Sequence, residues 1–130
     1  MYTIDVKTSK KCELIDITSE VESIVAKEKI KSGLCVIFCP HTTAGLTINE
    51  NADPAVRKDI LNHLEELVPE RKGYLHTEGN SDGHIKASLM GFSLNIIIES
   101  ASLALGTWQG VYFCEFDGPR NRKVHVKILS

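Results

Sequence analysis

What the chain lacks narrows its class first. Its longest apolar runs, LCVIFC at 34–39 and III at 96–98, fall far short of the roughly 20 residues that cross a bilayer. The N-terminal MYTIDVKTSKK has no apolar stretch of the kind a secretion signal carries, which predicts a cytoplasmic protein. There is no basic excess. Fifteen Lys and Arg against 17 Asp and Glu leave a net charge of −2, which removes the electrostatic case for nucleic acid as a partner. The four cysteines, Cys12, Cys35, Cys39 and Cys114, show no CxxC spacing and read as reduced thiols. Neither HExxH nor GxxxxGK occurs, so the usual zinc-protease helix and phosphate loop are excluded. Internal repeats, linkers and low-complexity segments are absent too.

What is present suits one domain spanning residues 1–130, with 42% hydrophobic residues to build its core. Tyr2, Ile4 and Val6 alternate with polar residues, the period of a half-buried strand. A second strand is expected over 11–17. Ser19 and Glu22 form the S-x-x-E spacing of a capping box, and Ile17, Val21, Ile24 and Val25 make the apolar stripe of a first helix. Gly33 closes that connection, and 34–39 reads as a strand buried on both faces. A short strand over 46–48 follows. Asp53-Pro54 starts a second helix, whose Val56, Ile60, His63, Leu64 and Leu67 lie within an arc of about 100°. A helical turn over 85–90 is compatible with Ser81 or Asp82 as its cap. Three strands complete the chain, near 94–100, 107–116 and 123–129, the last two joined by a hairpin turn at 117–121. Two strands, a helix, two strands, a helix and three strands predict an α+β fold, a two-sheet sandwich of about seven mostly antiparallel strands with two helices.

The histidines differ in setting. His125 alternates with Val124 and Val126 and should face solvent, whereas His63 sits in the apolar stripe of its helix and should be a core or groove residue. His41 leaves a strand end, where sites are commonly built. His76 and His84 share the polar stretch HTEGNSDGH with Glu78 and Asp82. Three imidazoles plus a water are a usual zinc arrangement, and carboxylates such as Asp82 or Glu78 complete or orient it. Near the C-terminus stand the lone Trp108, then Glu115 and Asp117, two apart on a strand end, and Arg120, which suits an anion clamp or a partner for those carboxylates.

Three blocks, PHTTAGLTINENADPAV, HTEGNSDGHIKASLMG and LGTWQGVYFCEFDGPRNRKV, resemble the signature blocks of the YjbQ family. That family is linked to a secondary thiamine-phosphate synthase activity. The resemblance implies a two-sheet α+β sandwich, assembly as a homotrimer, and one cleft near the subunit boundary. As catalytic candidates it implies His41, His76, His84, Glu115 and Arg120. As substrate-binding candidates it implies Thr42, Thr43, Asn49, Glu50, Asn51, Asn80, Trp108, Gln109, Asp117 and Arg120. Cys39 and His63 fall outside the pattern.

Three functions fit these residues. A pyrophosphate-displacing transferase would use a divalent ion held by Asp82 and Glu115, with Arg120 on phosphate and Trp108 stacking. A zinc-dependent hydrolase or lyase acting on a small phosphorylated or carbonyl substrate would use His41, His76 and His84 on the ion, with Glu78 or Glu115 as the general base. A non-enzymatic module would bind a small anion through Thr42, Thr43 and Arg120. The cofactor expected is a divalent metal, Zn²⁺ or Mg²⁺, with no organic cofactor. The ligand expected is a small anionic or phosphorylated metabolite.

Overall fold

The structure is a computed structural model that describes residues 1–70 and 73–130. Its elements are β1 (Tyr2–Lys7), β2 (Glu13–Asp16), α1 (Thr18–Glu28), β3 (Gly33–Phe38), β4 (Ala44–Glu50), α2 (Pro54–Leu67), α3 (Ser81–Met90), β5 (Ser93–Glu99), β6 (Ser102–Leu103), β7 (Gln109–Glu115) and β8 (Asn121–Leu129). A larger sheet has the order β1-β8-β3-β5-β6 and a smaller one β2-β7-β4. Every pairing is antiparallel. The α+β two-sheet architecture is the one expected, with a third helix and a two-residue edge strand added.

The sheets face each other across a core to which Ile4, Val6, Cys35, Ile37, Ile96, Ile98, Val124 and Val126 contribute from the larger sheet. Leu46, Val111 and Phe113 meet them from the smaller one, and α1 inserts Val21, Ile24 and Val25. The other face of the smaller sheet carries a second cluster, Leu14, Tyr112, Cys114 and Phe116, covered by Ala87 of α3 and by Ile60, Leu61 and Leu64 of α2. β7 is therefore covered on both faces, and all but its first residue are buried. Each large apolar side chain removed from water in this way contributes about 1.5–3 kcal/mol.

Several local expectations are corrected. The strand buried on both faces is β7, not β3: Cys35 and Ile37 point inward at 0% exposure, but the outer face of β3 is uncovered and Phe38 is 41% exposed. β7 and β8 do not form a hairpin. They lie in different sheets, and residues 117–120 make the corner between them. Ser19 and Glu22 do not cap α1. Asp16 Oδ1 accepts from the Thr18 amide at 2.9 Å, and the Thr18 hydroxyl accepts from the Val111 amide at 2.8 Å, tying the helix start to β7. The left-handed residue that ends α1 is Lys29 (φ 54°), while Gly33 opens β3, where a Cβ would lie 2.2 Å from the Leu129 carbonyl oxygen. Asp53 does cap α2, accepting from the Ala55 amide at 2.9 Å with Pro54 at the first position. No residue of α2 is fully buried, however, and His63 is an exposed side chain 3.6 Å from Glu66, not a core histidine. All four cysteines are free, and among the described residues no helix is long and apolar enough to cross a membrane.

Candidate functional site

β4 and β7 pair from Ala44↔Glu115 to Glu50↔Gln109. At about 3.4 Å per residue, the two ends of this ladder stand roughly 20 Å apart. The candidate residues divide between them.

At the Ala44↔Glu115 end the chain crosses from the larger sheet to the smaller one through Pro40, His41, Thr42 and Thr43. Glu115 lies beneath this crossing at 0% exposure, paired with Arg122 at 3%. Arg122 Nε donates to Oε1 at 2.9 Å and Nη2 donates to Oε2. The Thr8 hydroxyl donates to Oε1 at 2.8 Å and the Asp117 amide to Oε2 at 3.0 Å. Burial by itself raises the Glu115 pKa, but Arg122, Thr8 and the Asp117 amide outweigh it and hold the carboxyl below its ordinary range. Both oxygens are taken, so Glu115 anchors the corner instead of standing free as a base or a metal ligand. Arg122 also donates to the Thr43 hydroxyl at 2.9 Å, which turns that side chain inward.

Asp117 gathers the next layer. Its Oδ2 accepts from Arg120 Nη2 at 2.9 Å and from Asn80 Nδ2 at 2.8 Å, and its carbonyl accepts from Arg120 Nε at 2.9 Å. Arg120 is half-exposed and keeps part of its guanidinium free. Asp82 is not a loop residue reaching into a site. It is fully buried at the start of α3, accepts from Lys11 Nζ at 2.6 Å, and lies 3.7 Å from the buried Lys86 amine, which in turn donates to Glu65 at 2.7 Å. Asp82 Oδ1 and Asn80 Oδ1 are buried without a partner among the described residues. Gly83 is a point of close approach. A Cβ there would lie 2.9 Å from the Phe116 carbonyl oxygen, so glycine lets α3 sit against the corner after β7.

The histidines sit above this foundation. His84 is on α3 and His76 on the preceding loop, their rings perpendicular with centroids 5.3 Å apart. Glu78 Oε1 is 3.9 Å from His76 Nε2, with its side chain largely exposed. His41 stands edge-on to Phe113 at 6.4 Å, and its Nε2 accepts from the Lys123 amide at 2.9 Å. Burial pushes its pKa below the ordinary histidine value; the Arg122 charge adds to this, and Glu115 opposes it without prevailing. His41 and His84 line one cavity of about 300 Å³ with Thr42, Ala44, Ala87, Ser88 and Phe92. His84 also lines a neighbouring cavity of about 420 Å³ with His76, Tyr74, Leu75, Ser81 and Ile85. Among the described residues, no three His, Cys, Asp or Glu side chains stand close enough together to hold a metal ion. The expected set of His41, His76, His84, Asp82 and Glu78 does not gather at one point, because His41 is tied to β8 and Asp82 to Lys11, while Glu78 lies out on the loop.

The other end of the ladder is built differently. Asn49 Oδ1 accepts from the Glu50 amide at 2.7 Å, and Glu50 accepts from the Asp53 amide at 3.2 Å. Asn51 donates to Asp16 at 3.3 Å, and Gln109 accepts from the Gly106 amide at 2.7 Å. These side chains shape turns. Trp108 is 62% exposed, and Arg57 lies 5.5 Å over the Tyr112 ring.

Arg122, Thr8, Ser88, Lys86 and Phe92 were not among the site candidates the sequence offered. Arg122 carries a legible signal: it shares the inward register of β8 with Val124, Val126 and Ile128, and an arginine in such a row marks a buried charge in need of a partner. The others gave none, since their positions depend on how α3 docks.

Residues 2–130 match a protein family described as UPF0047 protein YjbQ-like. UPF0047 protein MJ1081 of Methanocaldococcus jannaschii is 53% identical over 130 residues, covering 100% of this chain and 94% of that protein. UPF0047 protein YugU of Bacillus subtilis is 52% identical, covering 100% of this chain and 99% of its own length. The crystal structure of a YjbQ/UPF0047 family protein from Clostridium acetobutylicum superposes with a TM-score of 0.98 at 56% identity, over 99% of this chain and 100% of that one. These relatives' names give a family and no reaction.

Proposed function

The chain belongs to the YjbQ-like UPF0047 family, and we propose that it is a small cytoplasmic enzyme acting on a phosphorylated metabolite. Its reaction is a secondary thiamine-phosphate synthase transfer, in which a ring nitrogen attacks a carbon while pyrophosphate leaves with the bonding pair. The observation that carries the reading is the cavity shared by His41, Thr42, His84 and Ser88 above the buried Glu115–Arg122 pair. At about 300 Å³ it is at the lower end of small-ligand pockets. Its rim offers hydroxyl and imidazole donors with a half-free Arg120 nearby, a set that suits phosphate oxygens and supports the charge that develops on a departing pyrophosphate. His84 and His76, in ring contact, suit proton transfer. No step is assigned to a metal, since the donor set does not assemble among the described residues.

The working form in this proposal is a homotrimer. Its support is the outer face of the larger sheet, where Phe38, Ile97 and Leu129 are 41%, 60% and 47% exposed. Trimerisation would bring the Trp108 end of one subunit to the cleft of the next, joining residues that one chain keeps roughly 20 Å apart.

The test is rescue of a strain lacking its own thiamine-phosphate synthase. Wild type is expected to restore growth, Arg120→Ala to restore it weakly, and His84→Ala not at all. No rescue by wild type, or equal rescue by all three, removes the transferase reading. Light scattering that finds a monomer at micromolar concentration removes the trimer.

A further inference from the structure

The backbone decides the proton position of His41. The Lys123 amide is a donor only, and it points at His41 Nε2 from 2.9 Å. It can be received only by a lone pair, so Nε2 carries no proton. A neutral imidazole with Nε2 unprotonated must carry its hydrogen on Nδ1. Adding a second ring proton at Nε2 would break the amide contact and set a cation near the Arg122 guanidinium. Nδ1 itself makes no hydrogen bond among the described residues, yet it is not among the sealed, unpartnered atoms. It is therefore an accessible donor on a residue that lines the cavity with Thr42, His84 and Ser88.

We propose that His41 serves the cleft as a neutral, tautomer-locked donor that presents Nδ1–H to an anionic oxygen of the phosphoryl class, and is neither a metal ligand nor a proton acceptor. This rests on reading the cleft as a phosphate site. The lock comes from topology. β8 carries Lys123 beside the crossing between β3 and β4, so its amide meets the imidazole before any ligand arrives. A pre-set neutral donor polarises an oxygen without itself giving up or gaining a proton. The same lock disposes of the three-histidine zinc expectation, because metal binding needs a ring lone pair. The Nε2 lone pair is occupied by Lys123, and Nδ1 has none to offer.

The experiment is nitrogen NMR of the full-length protein with ¹⁵N-labelled histidine at neutral pH, with added pyrophosphate in one arm and Zn²⁺ in the other. The expected result is a His41 ring unprotonated at Nε2 and protonated at Nδ1, an Nδ1 resonance that moves saturably with pyrophosphate, and no change with Zn²⁺. His41→Phe should bind pyrophosphate roughly tenfold more weakly. His41→Asn, whose amide nitrogen stands near the Nδ1 position, should bind within about threefold of wild type, since it keeps a donor for that oxygen. A protonated Nε2, a doubly protonated ring, or a Zn²⁺-shifted His41 overturns the inference while leaving the phosphate cleft standing if pyrophosphate still binds. Unchanged affinity in His41→Phe overturns it in the same way. A locked ring in a protein that binds no pyrophosphate overturns the cleft reading, and the inference with it.

Discussion

The two ends of the β2-β7-β4 sheet use similar residue types in opposite ways. At the Ala44↔Glu115 end, ionised groups are taken out of water and held there: Glu115 by four hydrogen bonds, Asp82 by Lys11, Lys86 by Glu65. At the Glu50↔Gln109 end, the polar groups stay near solvent and serve nearby turns: Asn49, Glu50 and Gln109 each accept from a backbone amide within three residues. The difference shows that a polar side chain in a site region is not yet a site. The first end spends its carboxylates on rigidity, which leaves hydroxyls and imidazoles to face the cavity. The second is a set of turns with one exposed indole.

The largest expected effect comes from opening the sealed end. Arg122→Ala leaves Glu115 charged, buried and short of its main partner, which should cost about 3–5 kcal/mol. The double change Glu115→Leu with Arg122→Met removes both charges and should recover most of that loss. At the other end, Glu50→Ala should change stability by less than about 1 kcal/mol. Chemical denaturation measures all three. If Glu50→Ala cost as much as Arg122→Ala, the contrast between the ends would collapse.

Next comes Gly83→Ala. The added carbon would lie 2.9 Å from the Phe116 carbonyl oxygen, a backbone atom of the corner just beyond β7. Displacing α3 to relieve that contact should cost roughly 1–3 kcal/mol. It should also disturb the ring contact of His84 with His76, read as changed histidine resonances. An unaltered spectrum and an unchanged denaturation midpoint would mean that α3 does not rest on this corner.

The acid limb of stability sharpens the comparison further. The folded-state pKa of Glu115 lies below its ordinary value, because its hydrogen-bond partners outweigh burial. The stability it contributes is therefore complete above the unfolded carboxyl value of about 4.3 and is lost as pH falls through the folded one. Glu115→Gln should flatten the decline in stability below about pH 5, whereas Glu50→Gln should leave that slope as it is. Equal slopes in wild type and Glu115→Gln would show that the buried pair does not couple to acid unfolding.

The architecture was largely legible because it follows from short-range pattern. Period-two alternation marks β1, and Asp53-Pro54 starts α2 where the structure does. What was not legible depends on which surfaces end up covered. Nothing in LCVIFC says that its outer face stays open, while QGVYFCE, the less apolar of the two, is covered on both faces, by the larger sheet and by α2 and α3. The turn chemistry at 117–121 suits a hairpin as well as a corner between sheets, and only the pairing partners of β7 and β8 decide. His63 fits the apolar arc of α2, but that helix lies shallowly on the sheet and leaves it outside. Among the site residues, the family blocks brought the right segments to attention without separating groups that face a ligand from groups that hold the backbone. That distinction lies in Arg122, Thr8 and Lys11, which sit on other strands or their flanks and meet the site only in three dimensions.

The smallest expected effect on stability is at Trp108. An indole 62% exposed in one chain contributes little to that chain's own fold, so Trp108→Ala should shift unfolding by no more than about 0.5 kcal/mol. In a trimer that sets this end against a neighbour's cleft, the same change removes a large flat surface available to a ring substrate. Growth rescue should then drop while the denaturation midpoint holds. The two readouts separate the cases. A large loss of stability with loss of trimer would make Trp108 an interface anchor. Full rescue with full stability would make the Glu50↔Gln109 end a plain turn and confine the site to the His41–His84 cavity. Retained stability and trimer with impaired rescue is the outcome expected if both ends of the ladder, from different subunits, enclose one ligand.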